Sequence, residues 1–172
     1  RIALLSARAG AERGNYAAAA RFEGYKAALA AHGLPFDPAL VVHVEAGPTS
    51  TPSAFRAFGA YLRSVAPADR PTAVYAISDH LAAGALQAAQ DLGLAVPREL
   101  AVVGTDELDV ARHTRPQLTS VRQPLERMGE EAASLLLRRI AGEAAGGPVK
   151  VRLPCTLTVR ESCGAGAAMP RR

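Results

Sequence analysis

The chain has two cysteines in 172 residues, few aromatic side chains (5%) and no strong charge of either sign. Cys155 and Cys163 are too few for a disulfide framework, and their spacing fits one bridge across paired strands or two reduced thiols equally well. No apolar run approaches the roughly 20 residues that a membrane span needs. The chain as given opens on no basic segment followed by an apolar signal core, so the expectation is a soluble protein without membrane contact. The net charge of +4 is mild, and the arginines are scattered without interleaved aromatics, which argues against a nucleic-acid groove within this stretch.

Chemistry-bearing patterns are equally scarce. His32, His43, His80 and His113 fall on separate elements without metal-ligand spacing, so no metal site is expected. Gly104-Thr105-Asp106-Glu107 lacks the further glycines of a phosphate or dinucleotide loop, and no cofactor is expected. Ser78-Asp79-His80 has the residue types of a hydrolase triad. Three successive residues at a helix start point in different directions, however, so no catalytic residue is assigned and the chain is not expected to be an enzyme.

What is present is a repeated strand-helix grammar. A hydrophobic content of 49% with 21% charged residues suits one globular domain with a core. Short apolar runs at Ile2 to Leu5, Leu40 to Val44, Thr72 to Ile77 and Leu100 to Val103 read as strands buried on both faces. Between them lie helical patterns: 18–31, ended by Gly33; a helix capped by Thr51 with Pro52 in its first turn; and 79–92, capped by Ser78 and ended by Gly93. In the last of these Leu81, Ala82, Ala85, Leu86 and Ala89 face the sheet. Such units predict an α/β fold with a doubly wound parallel sheet. A strand at Thr119 to Arg122, a long helix at 124–141 and strands at Val149 to Leu153 and Thr156 to Arg160 complete it. Residues 163–172 are expected to form a disordered tail.

Open α/β sheets bind ligands at the carboxyl ends of their strands, which singles out Ser78 and Asp79 after the third strand and Asp106 after the fourth. Ser78 reads as a helix cap, a ligand contact or both; Asp79 suits backbone amides, and Asp106 suits ligand hydroxyls. Arg21 lies near the amino end of the first helix, where the dipole does not favour a cation. It is either an exposed arginine or a fork for a carboxylate or adjacent sugar hydroxyls.

The segments Arg21-Phe-Glu-Gly-Tyr25, Pro71 to Asp79, Ala82-Ala-Gly-Ala85, Gly93-Leu-Ala-Val-Pro97 and Pro116 to Pro124 together resemble the lactose/galactose repressor family of bacterial transcription regulators, from Arg1 to about Glu161. The resemblance implies one lobe of a fold like the type I periplasmic sugar-binding proteins, serving as the effector-binding core of a cytoplasmic regulator. By position it implies effector contacts at Arg21, Asp106 and Ser78, with Asn15 as a further one. It also implies a homodimer interface including Leu81, Leu86, Val110 and Thr114. The chain departs from the family at Ser78, often asparagine there, and at Thr105, commonly aromatic.

The resemblance further implies that a helix-turn-helix and another lobe would precede Arg1, that DNA is touched only through that amino-terminal part, and that helix 124–141 belongs to the other lobe. Without its lobe the helix is expected to dock on another chain, repack on its own lobe or be poorly ordered. The expected effector is small and polyhydroxylated, a sugar or nucleoside. The alternative reading is a sugar-binding protein of a transporter, with the same fold but exported; an α/β enzyme is a third.

Overall fold

The computed structural model describes residues 1–7, 16–44, 50–143 and 147–165. Six strands form one sheet: β1 (Ile2–Ala7), β2 (Val41–Val44), β3 (Ala73–Ala76), β4 (Ala101–Thr105), β5 (Thr119–Arg122) and β6 (Thr156–Thr158), in the order β2-β1-β3-β4-β5-β6. The first five are parallel, and β6 runs antiparallel to β5 with Val121 opposite Leu157. The helices are α1 (Tyr16–Ala31), α2 (Thr51–Ser64), α3 (Asp79–Asp91), a single turn α4 (Val110–His113) and α5 (Leu125–Ile140). This is the doubly wound α/β arrangement expected from the sequence.

The strand order explains where a site can form. From β1 the chain moves outward to β2 through α1, then returns past β1 to β3 through α2 and onward to β4 through α3. Right-handed crossovers therefore put α1 on one face and α2 and α3 on the other. The order reverses between β1 and β3, and the crevice at their carboxyl ends is the switch point.

The α2–α3 pair is the most closely packed helical contact. Gly84 of α3 makes it possible, since a Cβ there would lie 2.5 Å from the Thr51 carbonyl oxygen and 2.5 Å from the Ala54 Cβ. Below this contact Phe58, Leu62, Leu81 and Leu86 are buried with Leu4, Leu5 and Leu100. The first turn of α2 is capped by Ser50 rather than Thr51. The Ser50 hydroxyl accepts from the Ser53 amide at 3.4 Å while Ser53 Oγ accepts from the Ser50 amide at 3.1 Å, leaving Thr51 as the first helical residue.

Two further differences from the sequence reading have physical reasons. Val149 to Leu153 is not a strand: it has no ladder partner, and Val149 and Val151 are exposed. Chain order does not end at residue 162, because Glu161–Cys163 forms a 3-10 turn against β4 and β5, and Gly164 is buried in left-handed conformation. Residues 166–172 lie outside the described residues. Of the outcomes expected for α5, repacking on its own sheet is not the one seen: it is a formed helix held off the sheet. None of its residues is buried, and Leu136, Leu137 and Ile140 are 60%, 66% and 74% exposed.

Gly84→Ala should lower stability by about 1–3 kcal/mol, the usual cost of forcing a methyl group into a close-packed contact. Urea unfolding of the variant should show a lower midpoint with an unchanged slope. An unchanged midpoint would mean that α2 and α3 can separate without loss.

Candidate functional site

The carboxyl ends of β3, β4 and β5 converge on one turn. After β4 the backbone passes through Asp106 at φ 106° and Glu107 at φ 58°, a region that costs a non-glycine residue about 1–3 kcal/mol unless its surroundings enforce it. The enforcement is visible. The Asp106 amide donates to the Val121 carbonyl at 2.9 Å, the Glu107 amide to Ser120 Oγ at 3.1 Å and the Leu108 amide to Asp79 Oδ2 at 2.7 Å.

Asp79 anchors this arrangement. Its carboxylate is fully buried at the start of α3 and also accepts from Ser120 Oγ at 2.6 Å. Burial pushes the carboxyl above its ordinary value, opposed by the bonds from Ser120 and Leu108. The carboxylate fits because β4 carries Gly104 beneath it: a Cβ there would meet Asp79 Oδ1 at 2.3 Å. Asp79 thus binds a backbone amide as its residue type suggested, though of the β4–α4 turn and not of its own helix. Ser78 caps α3, its hydroxyl accepting from the Leu81 amide at 3.3 Å.

Arg21 reaches across the switch point from α1. Its Nη1 donates to the Ile77 carbonyl at 2.7 Å, and its Nη2 to Asp106 Oδ1 at 2.9 Å. Gln123 Nε2 donates to the same oxygen at 2.6 Å. Asp106 Oδ2 accepts no hydrogen bond among the described residues. Arg21 and Asp106 remain about a quarter exposed, at 25% and 24%. The site therefore offers solvent a guanidinium with donors to spare and a carboxylate oxygen with free lone pairs. A cleft of about 450 Å³ opens beside Asp106, lined also by Gln123, Arg112, Arg122, Pro154 and Thr156 and not by Arg21.

Of the residues singled out from sequence, the structure brings Arg21 and Asp106 into contact and sets Ser78 next to Ile77, whose carbonyl Arg21 holds. Asn15 lies outside the described residues. The interface expectation needs correcting at Leu81 and Leu86, which are 0% and 2% exposed in the core and present no surface to a second chain. Their role facing the sheet excludes the other. Val110 and Thr114 are partly exposed, on and after α4.

Sequence reasoning missed four contributing residues. Gln123 lies within the Pro116 to Pro124 segment but nothing local marks it as a partner of Asp106. Glu107 and Arg160 form a nearly buried ion pair, 7% and 12% exposed, across 53 positions. Arg160 holds the Glu107 carboxyl below the usual carboxylate range. Ser162, also buried, donates to the Val102 carbonyl at 2.6 Å and accepts from the Thr119 amide at 2.8 Å, tying β4 to β5. Among the described residues no group of three His, Cys, Asp or Glu could hold a metal ion, and no helix is long and apolar enough to cross a membrane.

The Asp79 carboxyl binds its proton more tightly in the folded state than in the unfolded one. Its contribution to stability is therefore fully present below the ordinary carboxylate value and is lost as pH rises through the raised value. Asp79→Asn can keep both bonds, accepting from Leu108 and donating to Ser120, without the charge. Its stability relative to wild type should rise with increasing pH above about 4; a fall would show that the ionised carboxylate is favoured. Asp79→Ala, which strands two buried donors, should cost about 1–3 kcal/mol. Denaturant titrations of the three proteins across pH decide both points.

Comparison with known proteins agrees with this architecture. Residues 1–163 match the family model of the periplasmic binding protein-like domain. The HTH-type transcriptional regulator CelR of Thermobifida fusca is 41% identical over 142 residues, 83% of this chain and 40% of that protein; the chain thus spans well under half of that relative. A transcriptional regulator CelR–cellobiose complex superposes with a TM-score of 0.81 at 38% identity, covering 94% of this chain and 46% of the other. A LacI family transcriptional regulator from Mycobacterium smegmatis does so with a TM-score of 0.77 at 36% identity, covering 94% and 56%. The chain belongs to the periplasmic binding protein-like family, in the form found in LacI-family transcriptional regulators.

Proposed function

We propose that this chain is the effector-binding lobe of a LacI-type transcriptional regulator and that its effector is a small neutral sugar. The observation that carries this reading is the Arg21–Asp106–Gln123 cluster at the switch point, with donors and acceptor lone pairs left over. A fork of N–H groups beside a carboxylate oxygen suits vicinal hydroxyls, which donate and accept at neighbouring positions. The cellobiose bound in the CelR complex supports a sugar over a nucleoside. Ser78 and Asn15 complete the proposed contacts. The chemistry is reversible binding, with no catalytic step and no cofactor.

The regulators that this chain resembles are HTH-type, which supports our reading that DNA contact belongs to a separate amino-terminal part of a cytoplasmic protein. Effector would favour one arrangement of this lobe against another, shifting the population of a regulator that binds DNA as a dimer. The open apolar stripe of α5 fits a helix that packs on that other lobe, as the family resemblance implies. The dimer contact is placed at Val110 and Thr114, beside α3. The names of the relatives favour a regulator over a transporter's sugar-binding protein.

Calorimetric titration of the chain with cellobiose, other neutral sugars and nucleosides tests the reading. A sugar should bind, and Arg21→Lys, which keeps the charge but loses the fork, should weaken it about ten- to a hundredfold, as loss of one charge-assisted hydrogen bond does. Binding of nucleosides alone, or a sugar affinity indifferent to Arg21, would overturn it.

A further inference from the structure

The turn that presents Asp106 is gripped from both ends of one excursion of the chain. At Pro124 the backbone leaves the sheet, runs through α5 and the extended stretch after it, and returns at β6. Gln123, the last residue before departure, holds Asp106 at 2.6 Å. Arg160, just after the return strand, holds Glu107: its Nη1 donates to Oε2 at 3.1 Å and its Nη2 to Oε1. Two adjacent acids in one left-handed turn thus answer to the two ends of a single segment.

We infer that Arg160 is a positioning residue for the effector site, acting through Glu107 to hold the 106–107 turn in the conformation that presents Asp106 to Arg21 and to ligand. The inference rests on the effector-site reading above. Three features carry it. The turn is backbone-strained at two successive non-glycine residues and needs an outside constraint. The Glu107–Arg160 pair is two-pronged and nearly buried, so it is not the exposed kind of ion pair that contributes little. Arg160 is itself immobilised, with Nη1 also donating to the Leu118 carbonyl at 2.7 Å and its amide to Thr119 Oγ1 at 2.8 Å. Arg112, the other cation near Glu107, lies 3.9 Å away and is 62% exposed, too loose to replace it.

An ordinary structural role and a positioning role differ in what Arg160→Gln changes. Positioning predicts that amide exchange quickens at least tenfold at Glu107 and Leu108 while the amides of β1 and β3 keep their protection. It also predicts that affinity for cellobiose falls at least tenfold in the same protein. Arg160→Lys, which keeps a charge but not the fork, should lie between wild type and Arg160→Gln, and it serves as the test if Arg160→Gln does not fold. Glu107→Gln should quicken exchange at the same two amides by less than Arg160→Gln does, since its amide oxygen still accepts from Arg160 and the Leu118 bond survives, and the double variant should lose less than the sum of the two single ones, because both weaken one shared pair. Uniform loss of protection across the sheet, an unchanged turn, or additive losses in the double variant would overturn the inference. Failure of wild type to bind cellobiose or any other sugar would overturn the effector reading and the link to affinity. The exchange measurements would still decide whether Arg160 holds the turn.

Discussion

Everything at the ligand end of this fold depends on one buried carboxylate. Asp79 opens α3 directly above Gly104 of β4 and accepts from Ser120 of β5 and from the Leu108 amide beyond β4. It connects three successive strand ends at one point. A charge buried so deeply is unfavourable on its own account, as its raised pKa records. What it gains in return is definition: a buried acceptor must be matched by donors, and only one path of the 106–108 turn brings them there.

That path then fixes the binding groups. With the turn held, Asp106 faces inward across the crevice, and the guanidinium of Arg21 can join it to the carbonyl end of β3. The ion pair is partly exposed, so it adds modestly to stability; its value lies in preorganising donors and acceptor before a ligand arrives. Site and scaffold share their parts. Ser120 serves Asp79 and Glu107 at once, and Gln123 both ends the β5 segment and touches Asp106.

Much of the architecture was legible in the sequence because parallel strands buried on both faces leave uninterrupted apolar runs, and because Ser78, Gly33 and Gly93 mark helix ends by local rules. The candidate pair was legible as two separate residues, Asp106 at a strand end and Arg21 near the amino end of a helix. Their contact was not, and neither was the Glu107–Arg160 pair, since no local rule relates residues 85 or 53 positions apart. The reading erred where a local pattern had two outcomes. Val149 to Leu153 has the residues of a strand and finds no edge to pair with. Leu81 and Leu86 could serve a core or an interface, and the α2–α3 contact through Gly84 claims them for the core.

The sequence by itself determined the fold class, the Ser78 cap of α3 and the ends of the sheet where a ligand could bind, because hydrophobic period and turn chemistry are properties of neighbouring residues. Only the tertiary structure decided which polar groups meet, how the 106–107 turn is forced into a conformation its residues do not prefer, and which apolar faces are covered. Those outcomes depend on distances between segments far apart in the chain, and burial sets their energies only once the sheet has assembled.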